Sequence, residues 1–389
     1  MKIAIFTLNN PFEKICGGIE SVVYNLSKSF AKLGHETWVI CLGNVKEETI
    51  KKIEGVNLWI LPDKGTRGLF KRSLIFAKYG KKIVPKLESK GIEIFNGQAG
   101  YSSPLAFYKP KKEKVILTVH TMDGENIANI KDCIRMRKFK EAMLELIKYP
   151  ILKLWRTYYL SKSDALIFVS RIAYNEFKKY YWFLKKKSYI IPNGFPRIEI
   201  PENVEKKYDF IYVGRIAKGK CVDLIIKASK ILKEKGLNFS VVIVGSGKWE
   251  VFIKELIKKY NLGNNIKLVG YLPYNEVLKY ILKSKFLVLS SSYESDPLVV
   301  KESLLLGIPV ISSNIPALTG KIKDGFNGFL FKNLDYKSLA CVMEKALSLD
   351  DKEYHKMSKN AKKSIGNRNW IKVAKEYIEV FKEGMKNEL

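Results

Sequence analysis

The feature that most constrains the fold is a repeated alternation between short apolar runs and longer segments with helical periodicity. Each run is too short for a helix and is bounded by turn residues, which predicts strands that are buried on both faces. Strands that alternate with helices favour a parallel sheet covered on both sides, so we predict an α/β fold. The clearest runs are Ile3–Leu8, Val115–His120, Ala165–Ser170, Phe210–Gly214, Ser240–Gly245 and Phe286–Ser291.

The alternation has two rounds, separated near residue 196. The segment Pro196–Pro201, followed by a charged run to Lys207, is typical of an interdomain linker. At 389 residues the chain also exceeds what one hydrophobic core usually holds. We therefore predict two tandem Rossmann-like, doubly wound domains that face a cleft. They comprise residues 1–195 and 196–370, with a C-terminal helix at 371–389 that packs back on the first domain.

Composition excludes several classes of protein. A hydrophobic content of 47% with 28% charged residues indicates a globular protein, and a formal net charge of +30 predicts attraction to nucleic acid, anionic lipid or phosphorylated small molecules. Charge alone does not choose among these. Five scattered cysteines without a C-x-x-C pair indicate neither a disulfide framework nor a zinc site and favour a reducing cytoplasm. No run is long enough to predict a membrane-spanning helix.

The stretch from Glu294 to Glu302 carries the strongest chemical pattern. It follows the strand Phe286–Ser291, and Asp296 with Pro297 predicts a helix that starts there, with Asp296 as its N-cap. A helix N-terminus binds phosphate well, so Glu294 in the loop and Glu302 in the helix would bracket a diphosphate. That order matches the sugar, diphosphate and ribose of a nucleotide sugar. Two acidic residues that merely complement the helix dipole are the alternative.

Three features of the first half are weaker indications. Gly17 and Gly18 lie between a strand and a helix, where they would permit either a tight turn or the close approach of a ligand. The fingerprint G-x-G-x-x-G is absent, which counts against a nicotinamide enzyme. His120 ends a predicted strand, at the edge where such sheets bind ligands. The segment Ile134–Leu160 is basic, aromatic and amphipathic, and we expect Pro150 to break or kink it.

After the first strand of the second round comes a loop with two cations, Arg215 and Lys220. Arginine offers a rigid fork of donors and lysine a compact charge, which suits a diphosphate, although a solvated surface loop would have the same composition.

Taken in order, these motifs resemble the retaining glycosyltransferases of family 4, which have the GT-B fold. The resemblance covers nearly the full length and is strongest from Tyr212 to Phe331, where it includes Val213-Gly-Arg215, Val244-Gly-Ser-Gly247, Glu294 to Glu302 and Asp324 to Leu330. It departs from the family pattern at Thr121, Cys221 and Phe195-Pro196, where aspartate, glycine and aspartate are common.

The resemblance implies a role for each candidate residue. Arg215 and Lys220 would neutralise the diphosphate, Glu302 would hold the ribose, Glu294 would hold the transferred sugar, and His120 would face that sugar. The same comparison implies further donor-binding positions, at Gly17, Gly18, Gly245, Tyr271, Pro297, Leu298 and Val299.

The function predicted from these features is a retaining, metal-independent hexosyltransferase without a cofactor. Its donor would be a UDP-, GDP- or ADP-linked sugar, and its acceptor a hydroxyl group, lipid-linked or part of a polysaccharide precursor. We expect a cytoplasmic protein, peripheral on an anionic membrane surface if the basic segment docks there, and no nucleic-acid partner. The alternatives left open are a nucleotide-sugar epimerase, a phosphorylase of the same fold, and a non-catalytic basic protein that binds membranes or nucleic acid.

Overall fold

The structure is a computed structural model that describes residues 1–13, 17–63, 65–66, 69–98, 104–195 and 204–385. The predicted linker Pro196–Pro201 and Cys16 lie outside these residues. The chain divides into two compact units. The first comprises Met1–Gly124, Leu146–Pro196 and Arg368–Leu389, and the second comprises Glu125–Glu145 and Arg197–Asn367. The short stretch Glu125–Glu145 thus belongs to the second unit, although it lies within the range 1–195 assigned to the first domain from the sequence.

The first unit is built on a sheet with the strand order β3-β4-β2-β1-β5-β6-β7-β8. All its pairs are parallel except β3 with β4. The apolar runs are buried as predicted, while β3 is an exposed edge strand that carries two lysines, which disfavours pairing with another chain. The strands are β1 Lys2–Asn9, β2 Glu36–Gly43, β3 Thr49–Ile53, β4 Val56–Pro62, β5 Ile94–Gln98, β6 Lys114–Val119, β7 Ala165–Phe168 and β8 Lys187–Ile190.

Six of the helices that the structure describes lie wholly or partly in this unit. The C-terminal helix packs on the first helix, since the ring of Phe30 lies 6.2 Å from that of Tyr377 and 5.7 Å from that of Phe381. These contacts attach the end of the chain to the first unit. The helices are α1 Gly18–Lys32, α2 Leu69–Ser89, α3 Asp123–Arg135, α4 Phe139–Ser161, α5 Arg171–Tyr180 and α12 Trp370–Met385.

Helix α4 continues through Pro150, so of the expected break or kink at this residue the break is wrong, while the kink stays a prediction. The interruption lies instead between α3 and α4, where Arg137 has a left-handed φ of 56°. A proline inside a helix removes one backbone hydrogen bond and crowds the preceding turn. The buried Arg156 and Tyr159, one to three turns further on, pack this part of α4 in the first unit.

The second unit contains an all-parallel sheet with the order β11-β10-β9-β12-β13-β14. Because the order reverses between β9 and β12, the loops after these two strands diverge to opposite faces and leave a crevice at their carboxyl ends. The strands are β9 Tyr208–Val213, β10 Val241–Val244, β11 Ile266–Gly270, β12 Ser284–Leu289, β13 Val310–Ser313 and β14 Gly328–Phe331. The helices are α6 Val222–Glu234, α7 Glu250–Lys259, α8 Tyr274–Leu282, α9 Leu298–Leu305, α10 Tyr336–Leu347 and α11 Asp351–Ser364.

Candidate functional site

Glycines allow the ends of β9 and β10 to approach each other closely. Gly245 has φ 133°, and a Cβ placed on it would lie 1.9 Å from the carbonyl oxygen of Gly214. No side chain fits there, so a glycine is required. The amide of Gly214 donates to Val244 O at 3.0 Å and that of Gly245 to Gly270 O at 2.7 Å, which fixes the three strand ends together. The predicted Gly245 therefore lies beside the first loop of the crevice.

The loop from Arg215 to Lys220 is held by buried hydroxyl groups at the end of β12. Ser290 Oγ donates to the carbonyl of Lys220 at 2.8 Å, and the amide of Ser292 donates to the carbonyl of Gly219 at 2.8 Å. The side chain of Arg215 is exposed, and its guanidinium forms no ion pair with any residue that the structure describes. The backbone is fixed while the cation of Arg215 stays available to a ligand.

Two of the predicted residues are in direct contact. Lys220 Nζ lies 2.5 Å from Glu294 Oε1, and the two side chains are 24% and 14% exposed. They come from the loops after β9 and β12, the two strands on either side of the switch in strand order. The structure therefore places a partly buried cation and carboxylate at the crevice, where they form an ion pair.

Helix α9 begins one residue later than expected. Its N-cap is Pro297 rather than Asp296, and Leu298 and Val299 form its first turn. The carboxylate of Asp296 instead accepts from Lys301 Nζ at 2.5 Å and Lys321 Nζ at 3.0 Å, because two cations attract it more strongly than a helix dipole does. The first backbone N–H groups of α9 still lack intrahelical acceptors, as in any helix.

Glu302 is a buried carboxylate with an elevated pKa. Its side chain is 6% exposed, and Tyr274 Oη donates to its Oε1 at 3.0 Å. Burial raises the pKa of Glu302 to about 7, and the Tyr274 hydroxyl and the Lys301 ammonium offset only part of that effect. The carboxyl group can therefore change its charge near neutral pH.

Tyr271 directly follows β11 and is 37% exposed, after a glycine with φ 81°. The structure thus places this predicted residue at the same edge of the sheet as Gly245, where β10 and β11 are neighbours.

His120 belongs to the first unit, at the end of β6, and is buried. The Nε2 of His120 lies 2.9 Å from Gln98 Oε1. The Nε2 of Gln98 in turn donates to Asn96 Oδ1 at 2.5 Å. This contact with Gln98 orients the ring.

Gly17 and Gly18 also belong to the first unit, at the start of α1. Gly17 has φ −172°, which is extended backbone that any residue adopts, and a Cβ on Gly18 would have no neighbour within 4 Å. Of the two explanations for this pair, a tight turn that needs glycine is not supported. The nearby carboxylate of Glu20 is engaged, since Asn9 Nδ2 donates to it at 2.6 Å.

The cysteines that the structure describes are all free thiols. Cys41, Cys133 and Cys221 are buried free thiols and Cys341 is an exposed one. Over the parts of the chain that the structure describes, no three His, Cys, Asp or Glu side chains are grouped so that they could hold a metal ion.

Two sequence profiles match the two halves of the chain. Glycosyltransferase Family 4 matches residues 16–197, and Glycosyl transferases group 1 matches residues 196–364, which includes all the site residues of the second unit. The chain belongs to the group 1 glycosyltransferases. This finding confirms the resemblance drawn from the motifs.

Two relatives illustrate the family. An uncharacterized glycosyltransferase of Methanocaldococcus jannaschii is 28% identical over 387 residues, which cover 98% of each chain. The amylovoran biosynthesis glycosyltransferase AmsK of Erwinia amylovora is 27% identical over 160 residues, covering 40% of this chain and 39% of that protein.

Solved structures show the fold. The sucrose-phosphate synthase of Thermosynechococcus elongatus has a TM-score of 0.82 at 16% identity, with 100% of both chains covered. Anabaena HepE in complex with UDP and glucose has a TM-score of 0.69 at 13% identity, covering 98% of this chain and 100% of that one. This group 1 glycosyltransferase thus has the predicted GT-B fold, with two parallel-sheet α/β units.

One departure from the family pattern has a structural explanation. Cys221, where the resemblance leads us to expect glycine, adopts a left-handed φ of 50° at the N-cap of α6. The conformation that favours glycine is therefore kept in this glycosyltransferase even though the residue has changed.

Sequence reasoning missed several residues that shape the site. Tyr274 binds Glu302, Gln98 orients His120, and Asp132 with Arg135 reaches the Gly219 loop from a distant part of the chain. No local pattern marks them, because each acts through a contact between residues more than 20 positions apart.

Proposed function

We propose that this glycosyltransferase moves a sugar from a nucleoside diphosphate sugar to a hydroxyl acceptor. The observation that carries the proposal is the Lys220–Glu294 pair at the switch in strand order, directly before the first turn of α9. Arg215, Lys220 and the amides of Leu298 and Val299 would bind the diphosphate.

The remaining candidate residues would bind the other parts of the donor. Glu302 would accept from the ribose hydroxyls and Glu294 from those of the sugar. We propose that His120 faces the sugar and that Gly17, Gly18, Gly245, Tyr271 and Pro297 allow or make close contact with the donor.

The ion pair of Lys220 with Glu294 indicates how the donor is received. When the diphosphate arrives, the ammonium of Lys220 turns from the carboxylate to the phosphate oxygens, and Glu294 is released to the sugar hydroxyls. Both side chains are mostly shielded from water, so their interactions with the donor are stronger than they would be in solvent.

The chemical step is a displacement with retention. The bond from the anomeric carbon to the phosphate oxygen breaks, and a bond to the acceptor oxygen forms on the same face of the sugar. The acceptor's proton passes to the departing phosphate oxygen. Negative charge grows on the diphosphate as the bond breaks, and fixed cations and helix amides stabilise it without reorganisation. Because these groups supply the positive charge, we propose that the transfer requires no metal ion.

The donor's base and sugar are proposed only as a class. The structure of Anabaena HepE contains UDP and glucose, which supports a nucleoside diphosphate hexose as the donor of the present glycosyltransferase. A binding screen against UDP-, GDP- and ADP-sugars by native mass spectrometry would identify the donor. Hydrolysis of that donor by the purified protein, followed by NMR, would then show both cleavage and the anomeric configuration.

A matched pair of variants tests the site. Lys220→Ala removes the site cation, whereas Lys230→Ala removes an exposed helix lysine that also pairs with a glutamate, Glu234, at 2.6 Å. We expect loss of donor cleavage only in the first. Equal activity in both, or an epimerised donor without cleavage, would contradict the proposal, and bound pyridoxal phosphate in the absorbance spectrum would indicate a phosphorylase.

We further propose that the acceptor is presented at an anionic membrane surface on the cytoplasmic side. Support comes from the part of α4 that belongs to the first unit. Its outward face is apolar, with Ile147, Ile151 and Leu154 exposed by 62%, 63% and 73% and Tyr158 by 39%. These residues follow the spacing of a single helix face.

The inward side of the same helix buries polar and apolar groups together. Arg156 is buried and its Nη1 lies 3.0 Å from Asp123 Oδ1, while Tyr159 and Leu160 are buried in the core of the first unit. A surface helix usually leaves its outward face polar, so the exposed apolar stripe is suited to a partner rather than to water. Lys148 is exposed on the same helix and Lys162 directly after its last residue, and each cation near an anionic surface contributes about 1 kcal/mol. None of the helices that the structure describes is long and apolar enough to span a bilayer.

Vesicle sedimentation tests the membrane proposal. We expect the protein to bind phosphatidylglycerol vesicles at low salt and the double variant Ile147→Glu, Leu154→Glu to lose that binding. Val251→Glu, which alters an equally exposed apolar residue (67%) of α7, should bind as before. No binding by the unchanged protein would contradict the proposal, as would a stable dimer that the double variant dissociates.

A further inference from the structure

A stretch from the first half of the chain is built into the second unit. Glu125–Glu145 contains most of α3 and the start of α4, and it follows β6 of the first sheet in sequence, yet it belongs to the second unit. Lys218 Nζ lies 2.9 Å from Glu141 Oε2, so the contact includes the loop between Arg215 and Lys220.

The centre of this contact is a guanidinium between two buried carboxylates. Arg135 Nε donates to Asp132 Oδ1 at 2.8 Å, and its Nη1 and Nη2 donate to the two oxygens of Asp223 at 2.9 and 3.0 Å. Both aspartates are 0% exposed, and Lys227 Nζ adds a second cation 2.9 Å from Asp223 Oδ2. The cluster thus balances two negative with two positive charges. Burial alone would raise the pKa of Asp223, but Arg135 and Lys227 lower it.

The second oxygen of Asp132 holds the loop. Its Oδ2 accepts from the backbone N–H of Gly219 at 3.1 Å. Gly219 has φ 70°, and a Cβ on it would lie 2.7 Å from Asn129 Oδ1, so this stretch packs directly against the backbone of the loop. On the other side the carbonyl of Gly219 accepts from Ser292. The residue immediately before Lys220 is therefore fixed from two directions.

A buried ion cluster is weak evidence for stability, because apolar residues of similar volume often stabilise a fold as well. Such a cluster does fix the relative positions of the groups that it joins. Asp132 uses one oxygen for Arg135 and the other for Gly219, so the position of the loop follows from that of the cluster. Lysine at 135 could not replace this geometry, since a single ammonium cannot make parallel contacts with two carboxylates.

We propose that Asp132 and Arg135 are positioning residues for the transfer reaction. They fix the backbone of Gly219 so that the ammonium of Lys220 lies against Glu294 and meets the leaving diphosphate. The proposal rests on the proposed function. It adds that the leaving-group cation is placed by side chains from a part of the sequence between β6 and β7, outside the region that carries the donor motifs.

Asp132→Asn is the sharpest variant. Asparagine has the same shape but only one acceptor oxygen, so either Arg135 or the Gly219 amide loses its partner. We expect kcat for donor cleavage to fall about 10- to 100-fold, because displacement of a catalytic group by an ångström has effects of this size. The donor KM should change less than about threefold, since the negative charge on the diphosphate increases only in the transition state. Arg135→Lys should show the same split between kcat and KM.

A stability control separates positioning from a structural role. Met343→Ala opens a cavity at α10, in the core of the second unit, and changes no residue of the loop. Assayed below its melting temperature, it should keep the kcat of the unchanged protein. If Asp132→Asn does not fold, Arg135→Lys provides the same test. Unchanged kcat in a folded variant with lowered stability would overturn the proposal, and so would a change in KM alone.

Hydrogen–deuterium exchange provides a readout that needs no turnover. The amide of Gly219 should be protected in the unchanged protein and in Met343→Ala, and should exchange at least about tenfold faster in Asp132→Asn. Equal exchange in all three proteins would overturn the proposal. If no donor is cleaved by the unchanged protein, the proposed function fails, while the exchange experiment still decides whether this cluster fixes the loop.

Discussion

The elevated pKa of Glu302 predicts that donor affinity depends on pH in the neutral range. Burial raises this pKa from an ordinary 4.5 to about 7. The shift corresponds to about 3 kcal/mol that the folded protein spends to deprotonate the carboxyl group. In our proposal the ionised carboxylate accepts from the ribose hydroxyls, so the affinity should follow the ionised fraction.

The expected size of the effect can be calculated. With a pKa near 7, about nine-tenths of Glu302 is ionised at pH 8 and about one-tenth at pH 6, so the dissociation constant should rise about tenfold between them, or about 1.4 kcal/mol. Titration calorimetry with the donor sugar nucleotide measures this directly. Its diphosphate is esterified at both ends and does not titrate in that range, unlike a free nucleoside diphosphate.

Glu302→Gln is the matched control. It keeps the shape and the bond to Tyr274 but cannot ionise, so it should bind the donor more weakly, by roughly 1.5–3 kcal/mol, with an affinity that no longer changes with the charge at this position. Contributions from other titrating groups are present in both proteins and cancel in the comparison. Parallel pH profiles for the two proteins would refute the reasoning.

The same pKa makes a statement about stability. Because the folded pKa lies above the unfolded one, the native state binds more protons between pH 4.5 and about 7, and its stability falls as pH rises through this window. The total loss is about 3 kcal/mol. Glu302→Gln lacks this loss of stability. Between pH 5 and pH 7.5 the melting temperature of the unchanged protein should therefore fall relative to that of the variant. Equal pH slopes in scanning calorimetry would contradict the buried, proton-binding carboxyl.

Three further predictions concern the same unit. Arg215→Ala and Lys220→Ala should lower kcat more than they raise KM, because charge on the diphosphate grows as the bond breaks; steady-state kinetics that show only a change in KM would contradict the leaving-group role. Turnover should persist in EDTA, and loss of activity that manganese or magnesium restores would refute metal independence. Gly245→Ala should destabilise the protein by about 3 kcal/mol or more, since its φ is 133° and its Cβ would overlap Gly214 O, whereas Gly263→Ala, with no neighbour within 4 Å, should change the melting temperature little.

The sequence by itself determined the class of fold and the family. A strand that is buried on both faces is apolar at nearly every position. Short apolar runs that alternate with segments of helical periodicity therefore predicted two sets of parallel strands. The position of a residue at the end of a strand also follows from the sequence. Arg215, Gly245 and Glu294 could therefore be assigned to one edge of the second sheet before any coordinates were known.

The exact ends of helices followed less closely from the sequence than the class of fold did. The start of α9 moved by one residue because two lysines attract Asp296, and α4 continues through Pro150. Local propensities amount to a fraction of a kcal/mol to a few kcal/mol, so contacts with distant residues can override them.

Only the tertiary structure decided which distant residues share a site. Tyr274 next to Glu302, Gln98 next to His120, and the stretch Glu125–Glu145 in the second unit all depend on contacts between separated parts of the chain. Helical periodicity indicates that one face of a helix is buried but not which residues cover it. The sequence alone therefore also allowed the apolar stripe of α4 to face the core. In the folded protein Tyr159 and Leu160 are buried beside the Arg156–Asp123 ion pair, and Ile147, Ile151 and Leu154 lie on the surface.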